Sequence, residues 1–417
     1  MEMRIAVIGA GISGLSVAQI LRKRNREVVV YESEGRPGGL IKCDSVDGNL
    51  FHRTGGHVFN TKRKDVLEWF WTFFDKEKEF VLAQRNSVVA MSSENMIPYP
   101  IENHVYMLGA DDVKSVIQDL LEIKGSEGSV IANNFEDFLR MQFGKTLYDM
   151  YFGPYNYKVW RRDLSKVPLS WLAGKLPMPT VAEILYNNIH KVKEKEFVHS
   201  SFYYPLNGGS QFIANRLSEG LDIRYNVHIE RLEKRGMSFC INGEVFDSVI
   251  FCGNIKQLPS LLVDCCSIEH YGHFIENLES HGTTSVFCEI EKNDYSWIYL
   301  PSKEYESHRI ICTGNFSENN NVCNKMTGTI EFTDAISTEE IKENLQKMPF
   351  SPKYLTHHYA PYTYPIQDDK TREMIHSLKS ELKKENIYLL GRFAEWEYYN
   401  MDVAMGAALD LVEELKL

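Results

Sequence analysis

Three glycines near the amino terminus have the spacing of a phosphate-binding turn. Gly9, Gly11 and Gly14 lie between an apolar run, residues 4–8, and a segment with helical periodicity, residues 12–24. The first glycine permits a tight turn, the second lets the backbone approach a pyrophosphate, and the third lets the helix pack closely on the strand. The amino terminus of such a helix offers N–H donors and partial positive charge to phosphates.

An acidic residue after the next strand completes the pattern. Residues 27–31 are typical of a short strand, and Glu32 follows them directly. A carboxylate at this point of a βαβ unit accepts hydrogen bonds from ribose hydroxyls. The unit opens a doubly wound parallel sheet. These residues predict a dinucleotide site, and alone they leave open whether the dinucleotide is NAD or FAD.

Composition bounds the class of protein. A chain of 417 residues is expected to form two or three packed units. Its net charge of −11 argues against a nucleic-acid partner, which requires a basic stripe. No apolar run reaches the roughly 18 residues that span a bilayer, and no room for a signal peptide precedes the first strand. The eight irregularly spaced cysteines predict a cytoplasmic protein with reduced thiols and no metal site.

A second glycine pair bears on the choice between NAD and FAD. Residues 35–39, Gly-Arg-Pro-Gly-Gly, follow the acidic residue almost at once. In this the chain resembles the FAD-binding amine oxidase/protoporphyrinogen oxidase superfamily, which carries a glycine pair at that place. The resemblance implies FAD as the cofactor. The FAD contacts that we expect in this half of the site are Gly9, Gly11, Ile12, Ser13, Gly14, Glu32, Ser33, Arg36, Gly38, Gly39, Leu40 and Ile229.

The order of elements predicts an interrupted nucleotide domain. Helical spacing dominates residues 110–195, and strand-like runs return at 221–233, 237–252 and 283–333, with a hairpin turn predicted at Asn242-Gly243. A strand at 386–390 precedes a helix at about 402–416. We predict an α/β fold: a doubly wound, Rossmann-like FAD domain of the GR2 type with a helical insertion and an antiparallel β-sheet substrate domain. The expected parts are 1–65, 205–265 and 385–417 for the FAD domain, 100–200 for the insertion, and 66–99 with 266–384 for the substrate domain.

Two further segments resemble one family within that superfamily, the UDP-galactopyranose mutases. Residues 55–61 are similar to the family's flavin-facing loop, which implies that Gly55, Gly56 and His57 lie beside the flavin; Asn60 departs from a frequent histidine. Residues 391–402 are similar to its closing motif, in which the last helix directs its amino terminus at the flavin. Here Asn400 replaces an aspartate. The residues implied in this segment are Gly391, Arg392, Tyr398, Asn400, Met401 and Asp402.

The same resemblance implies a nucleotide-sugar substrate. Tyr155 and Trp160 match a Tyr-x-x-Lys-x-Trp motif whose flat rings hold a base. Lys175 stands where the family has an arginine on the diphosphate, and lysine keeps the charge without the bidentate fork. Tyr186 has the spacing of an active-site tyrosine.

Arg309 and Tyr364 match the remaining phosphate contacts of the family. Arg309 lies in an apolar strand, where an unpaired guanidinium is very costly. On physical grounds alone, a purely structural ion pair is therefore as well supported as a substrate contact. Tyr364 precedes Pro365 in a run that is similar to the family's Tyr-Tyr-Pro segment.

Two activities follow from these patterns. The first is an FAD-dependent pyranose/furanose mutase of a nucleotide-activated sugar, using reduced flavin in cell-surface polysaccharide synthesis, with NAD(P)H or another reductant as a further partner. The second is an FAD-dependent oxidoreductase of the amine oxidase/protoporphyrinogen oxidase type, whose substrate site is apolar or an aromatic cage. The sugar, the nucleotide and the oligomeric state stay open. The catalytic residues expected for the mutase are His57, Lys175, Arg309, Tyr364 and Tyr398.

Overall fold

The computed structural model of the chain describes residues 3–125, 132–169, 179–192, 201–262, 266–322, 325–368 and 370–416. Within these ranges the strands are, in chain order, β1 (Arg4–Ile8), β2 (Glu27–Tyr31), β3 (Cys43–Val46), β4 (Asn49–His52), β5 (Phe80–Gln84), β6 (Ser87–Ala90), β7 (Met96–Pro98), β8 (Ser201–Pro205), β9 (Asp222–Arg224), β10 (Glu233–Arg235), β11 (Ser238–Ile241), β12 (Glu244–Phe246), β13 (Ser248–Phe251), β14 (Ser280–Glu289), β15 (Trp297–Tyr299), β16 (Arg309–Ile311), β17 (Thr327–Thr333), β18 (Lys353–Pro365) and β19 (Ile387–Leu389).

The α-helices of the same ranges alternate with these strands. They are α1 (Ile12–Lys23), α2 (Lys64–Trp71), α3 (Lys76–Glu79), α4 (Ala110–Gly125), α5 (Phe135–Leu147), α6 (Gly153–Trp160), α7 (Val181–His190), α8 (Gly209–Ser218), α9 (Leu258–Leu261), α10 (Cys266–Glu269), α11 (Gly272–Glu276), α12 (Thr338–Leu345), α13 (Thr371–Lys384) and α14 (Met401–Leu415). None of the helices described is both long and apolar enough to cross a bilayer.

A five-stranded parallel sheet in the order β19-β13-β1-β2-β9 forms the nucleotide domain. Successive residues of β1 enter two different apolar cores: Ile5 and Val7 pack with α1, α8 and α14, whereas Ala6 and Ile8 pack with β11, β12 and α13. Both faces are thus covered, as a parallel sheet requires. The predicted βαβ opening and the α/β class are confirmed.

A seven-stranded sheet in the order β18-β14-β17-β16-β15-β6-β7 forms the second layer. Its pairs are antiparallel except for β15 with β6. Helices α4, α5 and α7 share an apolar core with Trp297, Tyr299 and Ile311 of this sheet, and Tyr155 and Trp160 of α6 pack against the same core. The helical insertion therefore leans on the strands that also carry Arg309.

Two local details test the sequence patterns. Asn242 and Gly243 join β11 to β12 with φ angles of 50° and 85°, the left-handed values that an Asn-Gly hairpin turn requires. Helix α13 buries Ile375, Leu378 and Leu382 in the core shared with β19. It therefore packs on the nucleotide sheet, although the boundary expected at residue 385 separates the two; the other domain boundaries stay predictions.

Candidate functional site

The first glycine turn has the shape that its spacing predicts. Gly9 has a φ of 105°, which favours glycine. A Cβ on Gly14 would lie 1.9 Å from the carbonyl oxygen of Gly9, so that only glycine lets α1 lie this close to β1. Gly11 caps α1, and no side chain takes up the first N–H groups from that position. The amino terminus of α1 thus presents donors for an anion.

The second glycine pair packs against the first turn. The Gly38 N–H donates to the Ala10 carbonyl at 2.8 Å, and Gly11 and Gly38 form an isolated parallel bridge. A Cβ on Gly39 would lie 3.2 Å from the Cα of Gly11. A side chain at Gly39 would therefore press the two segments apart. The two motifs form one continuous surface at the end of α1.

Glu32 stabilises this surface through hydrogen bonds to backbone N–H groups. Its carboxylate is buried and accepts the Ala10 N–H at 2.8 Å and the Glu34 N–H at 2.9 Å. An ionised carboxylate has about four acceptor positions, so ribose hydroxyls can still bind it. Arg36, which we expected on the cofactor, instead donates to the Cys43 carbonyl at 2.9 Å and pairs with the Asp44 carboxylate. Its guanidinium holds the β3–β4 hairpin.

The segment of residues 391–402 lies against the start of α1, next to the first glycine turn. Gly391 has a φ of 107°, and a Cβ there would lie 2.6 Å from Oγ of Ser13. Helix α14 then begins at Met401, capped by Asn400 without a side-chain bond. Asn400 lies in the lining of a cleft beside the turn. The amino ends of α1 and α14 therefore face one region, where two sets of N–H donors are available to a dinucleotide.

The cleft encloses about 520 Å³, part of which is open to solvent. It lies between the glycine turns and the second sheet. Its lining is mostly polar and consists of Leu40, Thr54, Gly55, Gly56, His57, Thr283, Trp297, Arg309, Glu331, Thr363, Tyr364, Arg392, Tyr398 and Asn400.

Arg309 and Glu331 form the charged centre of the cleft. They are direct partners in the β16–β17 register, and Nε of the arginine donates to Oε2 of the glutamate. The side chain of Glu331 is 1% exposed, and its Oε1 accepts the Gly55 N–H at 2.9 Å. Burial alone would raise the pKa of Glu331, but Arg309 and His308 outweigh it and hold that pKa well below the usual range. The structural ion pair exists, and it leaves Arg309 in the cleft wall.

Two tyrosines extend this centre. Nη2 of Arg309 donates to the Tyr364 hydroxyl at 3.2 Å, and the rings of Tyr364 and Tyr398 stack with centroids 5.6 Å apart. Burial, which outweighs the nearby guanidinium, raises the pKa of Tyr364, so its hydroxyl keeps a proton to donate. The guanidinium of Arg392 lies 4.4 Å from the Tyr398 ring centroid, while its nitrogens bond the carbonyls of Thr363 and Tyr399.

His57 brings an unpaired polar atom to the cleft. Within the described part of the chain, its buried Nε2 has no hydrogen-bond partner, whereas its backbone N–H donates to Nδ1 of His52 at 3.3 Å. Burial, followed by His52 and Arg392, lowers the pKa of His57 to about 3, which makes the ring neutral. Since buried polar atoms are nearly always paired, a molecule bound in the cleft is the natural partner. Together with the glycine turns and two helix ends, this atom fits FAD.

Other expected residues lie elsewhere. Tyr186 is 58% exposed and its ring lies tilted against that of His190, with centroids 4.3 Å apart, because α7 buries Val181 and Ile184 on its opposite face. The structure does not bring Tyr186 to the cleft. Lys175 lies outside the described residues. The remaining expected contacts are Ser33 next to Glu32, Ile229 in the core of the nucleotide domain, Met401 and Asp402 in the first turn of α14, and Tyr155 and Trp160 on α6.

Sequence reasoning missed several residues of the cleft wall. Glu331 is the most consequential, and a signal for it existed: it is the single carboxylate in the apolar run GTIEF, opposite a strand with a single arginine. Thr283 and Thr363, whose hydroxyls lie 2.7 Å apart, and Trp297 carry no such signal, since these residue types are common in strands.

Comparison with known proteins defines the class. Residues 7–76 match the model of the NAD(P)-binding Rossmann-like domain. Fold and glycine turns thus make this a dinucleotide-binding protein with a charged cleft beside the nucleotide domain.

The chain is UDP-galactopyranose mutase-like over its full length. It is 21% identical to the UDP-galactopyranose mutase of Mycoplasma genitalium, covering 99% of this chain and 94% of the relative. It is also 21% identical to the dTDP-fucopyranose mutase of Escherichia coli, covering 98% and 97%. The crystal structure of a reduced UDP-galactopyranose mutase has the same fold, with a TM-score of 0.87 at 20% identity over 100% of this chain and 94% of that one.

Proposed function

We propose that this protein is an FAD-dependent mutase that interconverts the pyranose and furanose forms of a nucleotide-activated sugar. The observation that carries the proposal is the placement of Arg309 and the stacked tyrosines Tyr364 and Tyr398 in one cleft wall, beside the paired amino ends of α1 and α14. A cation next to tyrosine hydroxyls suits a diphosphate. Full-length similarity to two mutases with different substrates supports the same reaction class.

The cofactor would be held by both ends of the chain. Gly9, Gly11 and Gly14 would receive the pyrophosphate, Glu32 the ribose, and the segment from Gly391 to Asp402 the flavin side of the molecule. Bound and reduced, flavin would supply the nucleophile for displacement of the nucleoside diphosphate from the anomeric carbon. His57 is neutral and adjoins this region, so it would donate to or accept from a bound group without changing its charge.

The protein's own task is to bind and orient the diphosphate. Glu331 accepts a hydrogen bond from Nε–H of Arg309, and the Tyr364 hydroxyl accepts one from Nη2. The guanidinium has five N–H donors, so others are left for phosphate oxygens. The Tyr364 hydroxyl keeps its proton and can donate to the same oxygens. Lys175 is proposed as a second cation, and Tyr155 and Trp160 as the aromatic surface for the base.

The oxidoreductase alternative predicts a different cleft. Enzymes that oxidise amines or carbon–carbon bonds favour apolar or aromatic-caged sites, because the substrate carries no diphosphate. Here the wall contains two arginines, a glutamate and three threonines. Desolvating these groups against an apolar substrate would cost free energy without compensation. The cleft therefore supports the mutase better.

An anaerobic incubation tests the proposal. The purified protein with FAD is mixed with UDP-galactopyranose, dTDP-fucopyranose and other nucleotide sugars, with and without dithionite, and the products are separated by chromatography. We expect an isomer of equal mass only after reduction, since the reaction changes no net oxidation state. Absence of isomerisation across the panel, with bleaching of oxidised flavin by an amine or a porphyrinogen, would instead support the oxidoreductase.

The cellular setting is proposed from the same resemblance. We expect a cytoplasmic enzyme that supplies furanose precursors for cell-surface polysaccharide and that receives electrons from NAD(P)H or another reductant. Stopped-flow mixing of the oxidised protein with NADH and NADPH checks the reductant.

A further inference from the structure

His281, the second residue of β14, links the second sheet to the end of α6. Its Nε2 lies 2.8 Å from the carbonyl oxygen of Trp160, the last residue of α6, and its Nδ1 lies 2.8 Å from Oδ2 of Asp334. The other carboxylate oxygen of Asp334 accepts the Gly282 N–H at 2.9 Å. The side chain of His281 is 12% exposed and that of Asp334 is 43% exposed, so water reaches the carboxylate more readily than the imidazole ring.

The two partners of His281 determine its protonation. A peptide carbonyl and an ionised carboxylate are acceptors only, so each requires an N–H from the ring. A neutral imidazole has one N–H, and either tautomer would leave a nitrogen lone pair 2.8 Å from an acceptor oxygen. The imidazolium ion satisfies both contacts at once. A cation is also favourable at the carboxyl end of a helix, where the last carbonyls carry partial negative charge.

A second anchor acts on the same helix. Lys158 is buried on α6, and its Nζ donates to the carbonyls of Leu300 at 2.8 Å and Ser307 at 2.9 Å. Those carbonyls flank the loop that leads into β16 and Arg309. Helix α6 is therefore held at two points two residues apart, Lys158 and Trp160, which restricts the movement of its aromatic residues relative to the second sheet.

We propose that His281, held as an imidazolium ion by Asp334, is a positioning residue that sets α6 against the second sheet and thereby places the nucleoside-binding aromatics Tyr155 and Trp160. The placement of α6 stands on the contacts above. The consequence for nucleoside binding rests on the proposed function.

Two variants separate charge from contact. In Asp334→Asn, the amide oxygen can still accept the Gly282 N–H, and the amide N–H can donate to a neutral His281, which keeps its Nε2–H for Trp160. All contacts then survive without the charge. In His281→Gln, the amide N–H can reach the Trp160 carbonyl, but its oxygen faces the Asp334 carboxylate, so one contact is lost.

Spectroscopy and hydrogen exchange test the anchor without any substrate. Nitrogen-15 NMR of histidine-labelled protein at pH 7, with the signal identified by its loss in His281→Gln, should show both ring nitrogens protonated in the wild type and one in Asp334→Asn. Amides of α6 should exchange about tenfold faster in His281→Gln, as expected for one lost charge-assisted bond, and little faster in Asp334→Asn. A neutral His281 in the wild type, or unchanged exchange in His281→Gln, would overturn the proposal.

Nucleotide binding by the FAD-loaded protein tests the consequence separately. Calorimetry with UDP and dTDP should give a Kd about tenfold higher in His281→Gln than in Asp334→Asn, with kcat at saturating substrate changed less than KM. Equal affinity of both variants and the wild type would overturn the role of His281 in placing the aromatics. A wild type that binds neither nucleotide would contradict the proposed function, while the protonation and exchange results would still decide the anchor.

Discussion

Arg309 and Glu331 face each other across β16 and β17, and the glutamate also accepts the backbone N–H of Gly55. One carboxylate thus joins the Arg309 guanidinium to the loop that carries His57. Because Glu331 is almost fully buried, its charge depends on these contacts and on nearby His308. The ion pair therefore also connects β16 and β17 to the loop that contains Gly55 and His57.

Replacing Glu331 by glutamine should weaken the fold and change its acid response. The pKa of Glu331 is depressed in the folded state, so its contribution is present above the unfolded value of about 4.3 and is lost as the pH falls below it. We expect Glu331→Gln to lower the free energy of unfolding by about 3 kcal/mol at pH 7, since Arg309 loses its counter-charge. Urea titrations at pH 7, 5 and 4 measure both effects. A variant as acid-sensitive as the wild type would contradict the assignment.

Arg309→Ala should impair substrate binding and spare the cofactor. The side chain lies in the cleft wall and bonds Glu331 and Tyr364, and we expect the flavin absorbance per protein to stay unchanged. Loss of one or two charge-assisted bonds predicts a KM raised about 10- to 100-fold. Arg309→Lys should recover part of the loss, because lysine keeps the charge without the fork. Loss of FAD, or unchanged kinetics, would argue against a substrate role.

Substitutions at two glycines of the first turn, Gly11 and Gly14, should have different effects on folding and on flavin content. Among the described residues, the nearest neighbour of a Cβ on Gly11 is the Gly39 Cα at 4.0 Å, so Gly11→Val should fold but exclude a pyrophosphate. A Cβ on Gly14 meets the Gly9 carbonyl at 1.9 Å, so Gly14→Ala should destabilise the domain itself. Thermal unfolding and flavin content distinguish the two.

Gly272→Ala is the matched control for both, since a Cβ there has no neighbour within 4 Å in the part of the chain that the structure describes. It should retain both stability and flavin. A Gly11→Val protein that purifies yellow at full occupancy would refute this placement of the cofactor.

Because Lys158 is buried, we expect the free energy of unfolding to increase as the pH rises above 7. Burial lowers the pKa of Lys158 to about 7, while the unfolded chain keeps a lysine value near 10.4. Between these values the unfolded state binds more protons, so stability should rise with pH, by at most about 1.4 kcal/mol per unit for this one group. Lys158→Met should remove that slope in urea titrations at pH 7, 8 and 9. The same slope in both proteins would show that other groups produce it.

Local patterns predicted the nucleotide half well. The Gly9–Gly14 spacing and the Asn242-Gly243 turn each determine backbone geometry within a few residues, so their structures follow from the sequence. The cleft wall depends instead on strand register. Glu331 reaches Arg309 only because β16 and β17 align, and no local signal specifies that alignment.

The positions of individual side chains were as difficult to predict from the sequence as the strand register. Arg36 follows the acidic residue of a cofactor motif, yet Asp44 on the next hairpin takes its guanidinium. Tyr186 has a suggestive spacing, but the apolar face of α7 directs it outward. In both cases a competing contact, distant or on the opposite helix face, decided where the side chain lies.

The contact between Gly391 and Ser13 has a consequence for biogenesis. The phosphate-binding turn is synthesised early, but the segment that completes its wall leaves the ribosome several hundred residues later. Strand β1 likewise waits for β13 as a neighbour. We therefore expect flavin capture to be a late event in the life of the nascent chain, so that cofactor supply acts on finished polypeptide and protects it from proteolysis only then.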